Sequence, residues 1–556
     1  MPPFQGFYLP VSPGYFFVDE CGWSGNLTIM FPRRVKFLCL VVPAVAGLAS
    51  GALAAESDDA EGFGPEEVIL WREVLDEQAR NTIQPTEAVA IERLIMPWET
   101  TRAVVIVFPL KDLARYPAAY RIVRDLLQVL LPRMEVIGLY HERDYRLLGD
   151  LLQALEREPG IKAHFNRLTP LSSEVFSIWA RDFSPFYARG TDGQLVALDS
   201  SFVPPRRFAN LLDAAREEEN PVARLHQLRN ATLELRDMRG SDVVPGVLNA
   251  FIESHWQVPT ALSRPPIYLL GGDLLPVSPK AALTSGLTLM ENGGRTGAMN
   301  AALRDYYGLE QVLYLENLPG DTIEHLDFMV QPIGAETILV AAPPPDFGSD
   351  RPYHRELKRE LLGRLANNKR VLKEHFPDHR IIEVPMPPPI LQGDAAVEEE
   401  LFLNCLGEFA SREGLSVWDS PNPRSPESLN PRLVAALGEK AGLRDINDRQ
   451  QRREFVSSFL GRPIEQLIAR HVEEHVIFRS YVNSLYLKAP DGSEMVLVPR
   501  YRAVIPSEEK MLGEMEKQVA AAYKEALPEA ELHWIDITEL SGFLGAVHCL
   551  TATIPE

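Results

Sequence analysis

Cys549, preceded by a histidine, lies near the end of the 556-residue chain, which has only four cysteines. A cysteine attacks as its thiolate, and a neighbouring positive charge favours that form. Earlier segments supply two carboxylates, an imidazole and an amide, on residues Asp182, Asp327, His325 and Asn483. We interpret this set as a site in which a thiolate attacks the carbon of a guanidinium group.

The two carboxylates suit a guanidinium substrate. This group is planar and permanently charged, and it forms paired N–H bonds to carboxylates. Asp182 and Asp327 are therefore predicted to hold the substrate, and Trp179 to line the slot beside Asp182. An Arg181–Asp182 pair that only shapes a loop is the structural alternative.

His325 and Asp327 stand two residues apart in a segment whose pattern indicates a strand or strand end, so their side chains should share one face. His325 is predicted to protonate leaving ammonia and then to activate water, because imidazole titrates near neutrality. A surface histidine beside a solvated aspartate is the alternative. Asn483 is predicted to orient the substrate or the histidine, unless it only closes a strand.

The elements that must position these residues follow an α/β pattern. Apolar strand-like runs such as 103–110 and 133–140 alternate with amphipathic helical stretches. Composition shifts and proline clusters divide the chain into an acidic helical lead-in at 55–95 and a catalytic region at 96–556. The catalytic region contains two charged helical insertions, at about 206–260 and about 350–475.

The net charge of −21 and the pI near 5.2 argue against nucleic acid or an anionic membrane as partner and favour cationic substrates. Residues 30–54 have a basic start, an apolar stretch and a small-residue cleavage pattern, which predicts a signal peptide after an over-extended start at 1–29. We therefore expect export without membrane association after cleavage; a membrane anchor is the alternative. Oligomeric state stays open.

Removal of residues 1–54 leaves two cysteines, Cys405 and Cys549. Exported proteins readily form disulfides, so a bond between these two is the alternative to a free nucleophile.

Five segments, taken in order, resemble the motifs of the agmatine deiminase and bacterial (Porphyromonas-type) peptidylarginine deiminase family, a branch of the guanidino-group-modifying enzymes. They are similar to W-x-R-D-x-G-P at 179–185, G-G-N with L-T-[ST] at 271–273 and 283–285, G-H-x-D at 324–327, S-Y-x-N at 480–483 and G-x-x-H-C at 545–549. The resemblance covers most of 96–349 and 476–556.

This resemblance implies the pentein fold, a five-bladed α/β propeller of ββαβ-type units around a central substrate channel. The two insertions would then decorate the rim, where they would restrict or shape access. The resemblance also implies that Asp273 binds substrate and that Arg206 and Arg207 meet a substrate carboxylate, although a solvated basic pair is the alternative for the arginines.

The sequence departs from the family pattern at Ser184, Asp273 and Glu324, and it has Phe543-Leu544 where the family has glycines before the cysteine. The side chains assigned to catalysis are all present. The departures therefore concern substrate preference and the backbone beside Cys549.

Together these observations predict a hydrolytic deiminase that converts the guanidinium of an arginine derivative to a ureido group plus ammonia through a cysteine thiouronium intermediate, without a cofactor. Peptidyl-arginine is favoured over agmatine, because agmatine belongs mainly to cytosolic polyamine metabolism. An amidinotransferase with the same intermediate and a catalytically silent guanidinium-binding or partner-binding pentein remain alternatives.

Two patterns offer a metal-binding alternative. His471 and His475 fit H-x-x-E-H in a charged helical stretch, and a second set combines residue types that zinc accepts, His325, Asp327, His548 and Cys549. A thiolate attacks a guanidinium carbon without a Lewis acid, so no metal is predicted.

Overall fold

The computed structural model describes residues 65–80, 84–108, 110, 117–203, 212, 215–216, 221–320, 325–345, 347–348, 352–391, 394–413, 415, 417, 430–446, 448–467, 476–503, 508–540 and 545–556. Several sequence predictions fall outside these ranges: the over-extended start, the signal peptide, the H-x-x-E-H segment, and residues Arg206, Arg207, Glu324, Phe543 and Leu544.

Nineteen strands are found in these ranges. They are β1 Ile91–Leu94, β2 Thr101–Val107, β3 Glu135–His141, β4 Leu168–Ser173, β5 Phe186–Gly190, β6 Leu195–Leu198, β7 Thr260–Ser263, β8 Leu274–Ser278, β9 Ala281–Ser285, β10 Gln311–Leu315, β11 Val330–Gly334, β12 Thr337–Ala341, β13 Arg380–Val384, β14 Ile390–Leu391, β15 Val476–Ile477, β16 Leu485–Lys488, β17 Glu494–Arg500, β18 Glu531–Asp536 and β19 Thr551–Pro555.

The helices of the described ranges alternate with these strands. They are α1 Pro65–Arg80, α2 Pro117–Leu130, α3 Tyr145–Arg157, α4 Pro159–Lys162, α5 Ala180–Phe183, α6 Pro221–Asp242, α7 Val244–Phe251, α8 Gly286–Glu291, α9 Thr296–Tyr307, α10 Pro352–His375, α11 Asp394–Arg412, α12 Pro431–Lys440, α13 Arg449–Leu460 and α14 Glu508–Ala526.

Five sheets repeat one arrangement. In each, a first strand pairs antiparallel with a second strand, which pairs parallel with a third after a helical crossover. Units 1 to 4 are β5–β7, β8–β10, β11–β13 and β16–β18, and unit 5 combines β19 with β2 and β3. The ββαβ repeat, which the sequence does not reveal directly, confirms the pentein fold.

The crossover helices show why the units pack. In α14 of unit 4, the buried residues recur at helical spacing, at Leu512, Met515, Val519, Ala522, Tyr523 and Ala526. In unit 2, α9 ends at Gly308, whose φ of 68° is the left-handed conformation that glycine adopts readily. Each helix thus places one apolar face on its sheet.

The units form a closed ring in chain order. Contacts join α9 to β1 at the edge of unit 1, β8 to β11, β13 to α14, β18 to α2, and β19 to α5. Residues of the five first strands, β5, β8, β11, β16 and β19, line one common cavity along the axis. The first strand of each unit is therefore the innermost one.

Ring closure joins distant parts of the chain. β19 pairs antiparallel with β2, from Thr551 opposite Ile106 to Pro555 opposite Thr101. The backbone N–H of Glu556 also donates to Thr100 O at 3.0 Å. Unit 5 thus forms only when the two ends of the catalytic region meet.

The helical stretches predicted as insertions divide between two roles. Helices α6 and α7 connect β6 to β7, and α10 connects β12 to β13, so these belong to the crossovers of units 1 and 3. Helices α11, α12 and α13 lie between β14 and β15 and have their own apolar cluster, which includes Leu401, Phe402 and Phe455. The inserted part of 350–475 is accordingly shorter than the composition indicated, because a long charged crossover helix resembles an inserted one.

Across the described ranges, no helix combines the length and the apolar character that a bilayer-spanning segment requires.

Candidate active site

All five motif segments immediately precede the first strand of a unit. They are α5, residues 270–273, the 3₁₀ turn Leu326–Phe328, residues 479–484 and residues 545–550. Because the first strands leave the same end of the axial channel, these segments converge there. We call this end the site end.

Cys549 lies at the centre of this convergence. It is 2% exposed. Its backbone carbonyl accepts the N–H of Arg181 at 3.0 Å, and the carbonyl of His548 accepts Arg181 Nε at 3.5 Å. Arg181 therefore braces the cysteine segment.

Asn483 fixes the cysteine from the other side. Its Nδ2 donates to Cys549 Sγ at 3.2 Å, and its Oδ1 accepts the backbone N–H of His548 at 3.0 Å. The amide is fully buried, and its neighbour Ser480 donates to Phe328 O at 2.6 Å. The S-Y-x-N segment thus ties the nucleophile to the turn that carries His325.

Asp327 is buried between His548 and the thiol of Cys549. Its Oδ2 lies 2.7 Å from His548 Nδ1 and 3.7 Å from Cys549 Sγ. Its backbone N–H donates to Gly272 O at 3.3 Å. The carboxylate is held by backbone and side chain, and its other oxygen, Oδ1, forms no hydrogen bond with any described residue.

His325 and Asp182 face each other across the site, with 3.8 Å between His325 Nδ1 and Asp182 Oδ1. Within the described ranges, neither ring nitrogen of His325 has a hydrogen-bond partner. Among the same residues, Asp182 Oδ1 also has no partner. His325, Asp327 and Cys549 place one side-chain N, O or S atom each within 4.8 Å of one another. The site therefore gathers a thiol, an imidazole and two carboxylates with unused acceptor atoms.

Burial sets the protonation states in the free site. It lowers the pKa of His325 to about 4, although Asp327 opposes the shift. Burial, with the charges of Asp327 and Asp182, raises the pKa of Cys549 well above its usual value. Burial and the charge of Asp327 likewise raise the pKa of Asp182. The free site therefore holds a neutral imidazole and a protonated thiol.

The sequence predicted a strand or a strand end for His325 and Asp327, and the structure has them just before a strand. His325 is extended, with φ −76° and ψ 137°, and a single 3₁₀ turn, Leu326–Phe328, follows it before β11. The two side chains still reach the same site, because the turn brings Asp327 back toward Gly272. The two-residue spacing correctly predicted that the two side chains lie together. The structural cause is the turn, however, and not the alternation of side chains along a strand.

Asp273 supports this turn instead of facing the substrate. Its Oδ1 accepts the backbone N–H of Leu326 at 3.2 Å, and its Oδ2 accepts the hydroxyl of Thr288 at 3.0 Å. Burial raises the pKa of Asp273 to about 8. Both carboxylate oxygens are used by protein donors, which corrects its predicted role as a substrate ligand.

Trp179 lies against the cysteine segment. A Cβ added at Gly545 would overlap the ring of Trp179, so glycine is required at this close approach. The indole thus packs against Gly545 in the cysteine segment. Its place in the wall of the substrate slot stays a prediction.

The two cysteines of the described chain are both free. Cys405 lies in the apolar cluster of α11 to α13, and Cys549 lies in the site. The alternative of a Cys405–Cys549 disulfide is therefore not the state of this structure.

Residues 288–555 match the family model described as Porphyromonas-type peptidyl-arginine deiminase. Over these residues, just under half of the chain, the sequence is similar to that deiminase family. The matched segment includes His325, Asp327, Asn483 and Cys549, and enzymes of this kind hydrolyse C–N bonds of amidines. Asp182 lies outside the match and joins the site through the geometry above.

Among solved structures, the chain is similar to the agmatine deiminase of C. jejuni, with 14% identity, 84% of this chain and 96% of that chain covered, and a TM-score of 0.48. It is also similar to the agmatine deiminase of Enterococcus faecalis, with 13% identity, 85% and 100% covered, and a TM-score of 0.47. A comparison with curated protein sequences gives no match. The five-unit topology itself, rather than these overlaps, defines the fold.

The sequence did not assign a role to His548 in the deiminase reaction. Its Nδ1 contact with Asp327 makes it the group that fixes this carboxylate, and burial together with the charge of Arg181 lowers the pKa of His548. Its position directly before Cys549 was the available signal. Only the pairing across 221 residues shows which side chain it holds.

A methyl group at Gly272 should displace His325. An added Cβ would lie 2.6 Å from His325 Nδ1 and 3.2 Å from Asp327 Oδ2. We expect Gly272→Ala to lower kcat by about a hundredfold, because a displacement near one ångström has that effect on reacting groups. Gly149→Ala in α3, where nothing lies within 4 Å of the added carbon, is the matched control and should retain wild-type kcat.

Stability should fall on acidification because of His325. The unfolded chain binds a proton there below its usual pKa of 6.5, whereas the folded chain binds one only below about 4. The contribution is present above 6.5 and is lost as pH falls through this window, by about 3 kcal/mol in total. Urea unfolding of wild type and His325→Gln at both ends of the window measures it.

As pH falls, the free energy of unfolding of wild type should decrease relative to that of the His325→Gln variant. His375→Gln, at an exposed histidine in α10, controls for loss of a surface imidazole. A difference between wild type and His325→Gln that stays constant with pH would contradict the assignment of a buried neutral imidazole.

Proposed function

We propose that this chain is a hydrolytic deiminase that converts the guanidinium group of an arginine derivative to a ureido group and releases ammonia. The observation that supports this most strongly is the set of unused acceptors around Cys549, on Asp182, Asp327 and His325. Buried acceptors normally have partners. A guanidinium group supplies five N–H donors and a positive charge, which fit this set.

In the first half-reaction, Cys549 Sγ bonds to the guanidinium carbon and its proton passes to His325. The bond from that carbon to one terminal nitrogen then breaks. This nitrogen takes the proton from His325 and leaves as ammonia, so a thiouronium cation stays on the cysteine. Asp182 and Asp327 hold the two sides of the guanidinium during the attack.

In the second half-reaction, water adds to the same carbon and gives a proton to His325, which now acts as base. The carbon–sulfur bond breaks, sulfur leaves as the thiol, and the carbon keeps the water oxygen as a ureido carbonyl. One net proton leaves with the released ammonia as ammonium. The enzyme returns to its starting state.

Substrate charge supplies what the free site lacks. Burial, together with Asp327 and Asp182, raises the pKa of the Cys549 thiol. A bound guanidinium places one positive charge between these two groups and beside the sulfur. That charge lowers the pKa of the thiol, so thiolate formation follows substrate binding. This coupling protects a buried thiol until substrate is present.

The test is release of ammonia and ureido product by the purified chain from Ala55 onward, under reducing conditions. Agmatine, free arginine and peptides with internal or C-terminal arginine serve as substrates. Turnover of any of these supports the deiminase. Product formation that requires an added acceptor amine would favour amidino transfer, and binding without turnover would favour a silent pentein.

Export and a preference for peptidyl-arginine are part of this proposal. They rest on the signal-peptide pattern at 30–54 and on Arg206 and Arg207. Secretion of the full chain with loss of the leader, and a higher kcat/KM on arginine peptides than on agmatine, are the expected results.

Turnover is also expected to survive metal removal. His325, Asp327 and Cys549 are residue types that zinc accepts, but the thiolate route uses each of them without a metal. Prolonged treatment with a strong chelator should leave kcat unchanged. Loss of activity that returns on adding zinc would favour the metal alternative.

A further inference from the structure

The inserted helices begin and end beside the site. β14 leads into them and β15 leads out, and these strands pair antiparallel, with Leu391 opposite Val476. Six residues after Ile477 comes Asn483, and between them the Arg479 guanidinium donates to Pro388 O at 2.8 Å. The insertion is therefore rooted at the site end, between units 3 and 4.

A second group of helices stands at the site end of unit 1. Helix α6 packs against α1, with Arg224 paired to Glu67 at 2.8 Å. At the end of α6, Asp242 Oδ1 accepts a hydrogen bond from the backbone N–H of Phe202 at 2.8 Å, and Phe202 lies just after β6. These two helices share an apolar cluster that includes Trp71, Val74 and Leu235, separate from the cores of the sheets.

These two groups touch each other. Helix α13 of the insertion contacts α6. In a ring of five, unit 1 lies opposite the boundary between units 3 and 4, where the insertion is rooted. The shortest connection between the two roots crosses the channel mouth, and the contact between α13 and α6 joins the two groups. We call α1, α6, α11, α12 and α13 together the arch.

Burial of the site agrees with this placement. Asp327 and Asn483 are 0% exposed, and Cys549 is 2% exposed. A side chain on a folded protein surface would have to bring its whole domain against the mouth, whereas a small molecule needs only a narrow path.

We propose that the arch determines substrate size: it admits small guanidinium compounds and short flexible chains, and it excludes arginine side chains of folded proteins. This inference rests on the proposed function for its substrate class. The arch itself is a property of the fold, so access to Cys549 can be measured without turnover.

The insertion can be removed with little disturbance of the ring. Leu391 and Val476 are direct partners, so an Asn-Gly turn in place of residues 392–475 closes a two-residue hairpin. The apolar cluster that is lost belongs to the insertion. This variant tests whether the arch blocks the mouth.

The first readout is alkylation of Cys549 by a small haloacetamide and by the same group attached to the surface of a small folded protein. In wild type, the bulky reagent should react at least about tenfold more slowly relative to the small one than in the excised variant. Cys549→Ala gives the background labelling. Equal size dependence in wild type and the excised variant would overturn the arch.

The second readout is deimination of a small guanidinium compound, of a folded arginine-rich protein, and of that protein after unfolding. Wild type should act on the first and third but not on the folded protein. The excised variant should deiminate the folded protein as well. Wild-type turnover of the folded protein at the rate of the unfolded one would contradict the proposal.

A point variant covers the case in which the excised protein does not fold. Glu398 is buried and ties α11 to α13 through Arg449, at 2.8 Å, and Arg453. Glu398→Ala should loosen the arch and raise bulky-reagent labelling, whereas Glu374→Ala, in an exposed pair with Arg370 on α10, should not. Equal labelling of the two variants would count against the arch.

The two proposals fail in different ways. Absence of turnover by every variant, with size-dependent labelling intact, removes the deiminase and keeps the arch. Turnover together with size-independent labelling removes the arch and keeps the deiminase.

Discussion

Cys549→Ala is expected to lose ureido-product formation, with a fall in kcat on the order of 10⁴-fold or more, as for other nucleophiles that act as part of a unit. The thiol is the atom that bonds to the guanidinium carbon, and alanine leaves no group to replace it. Stopped assays for ammonia and ureido product, on the same protein samples, measure the loss.

Cys405→Ala is the matched control for this prediction. Cys405 is 2% exposed and free, as Cys549 is, but it lies in the apolar cluster of the insertion. It should retain the kcat of wild type even where its melting temperature falls. Activity that depends on Cys405 and survives loss of Cys549 would disprove the assignment of the nucleophile.

Asp327→Asn should lower kcat/KM by about 10²–10³-fold, because truncating one partner of a buried charged pair has effects of about that size. The amide keeps the volume of the carboxylate but removes its charge and presents N–H groups where the substrate also presents them. Asp182→Asn should act in the same direction. Steady-state kinetics on the best substrate measure both.

Binding separates a charge effect from misfolding. A guanidinium inhibitor should lose affinity for Asp327→Asn, whereas its neutral urea analogue should not. Asp305→Asn, at an exposed pair with Arg304 on α9, is the control and should change neither. Equal loss of both ligands would mean that Asp327 shapes the site without holding the charge.

The five motif segments could be read from the sequence because each carries several uncommon residues at fixed spacing. Cys549, His325, Asp182, Asp327 and Asn483 are all within one site. The ββαβ repeat could not be read, since its units share a pattern of pairing and not a pattern of residues. Pairing between distant strands becomes visible only in three dimensions.

The errors at Asp273 and at the insertion have a common physical origin. Asp273 stands beside the substrate residues in sequence, but its partners, Leu326 and Thr288, are remote in the chain. Charge and amphipathicity likewise describe one surface of a helix without saying what the other surface covers. That is why α10, a crossover element, looked the same as the inserted helices α11 and α13.

The pairing of β19 with β2 has a consequence for biosynthesis. A nascent polypeptide that has reached residue 540 contains four of the five ββαβ units, and β2 still lacks its partner strand β19. The nucleophile is added just before that strand, so thiol chemistry becomes possible only as the ring shuts. Pairing across such a long loop is slow compared with local structure. Chains that end before residue 549 therefore lack the nucleophile, and activity is expected to appear only after β19 has paired with β2.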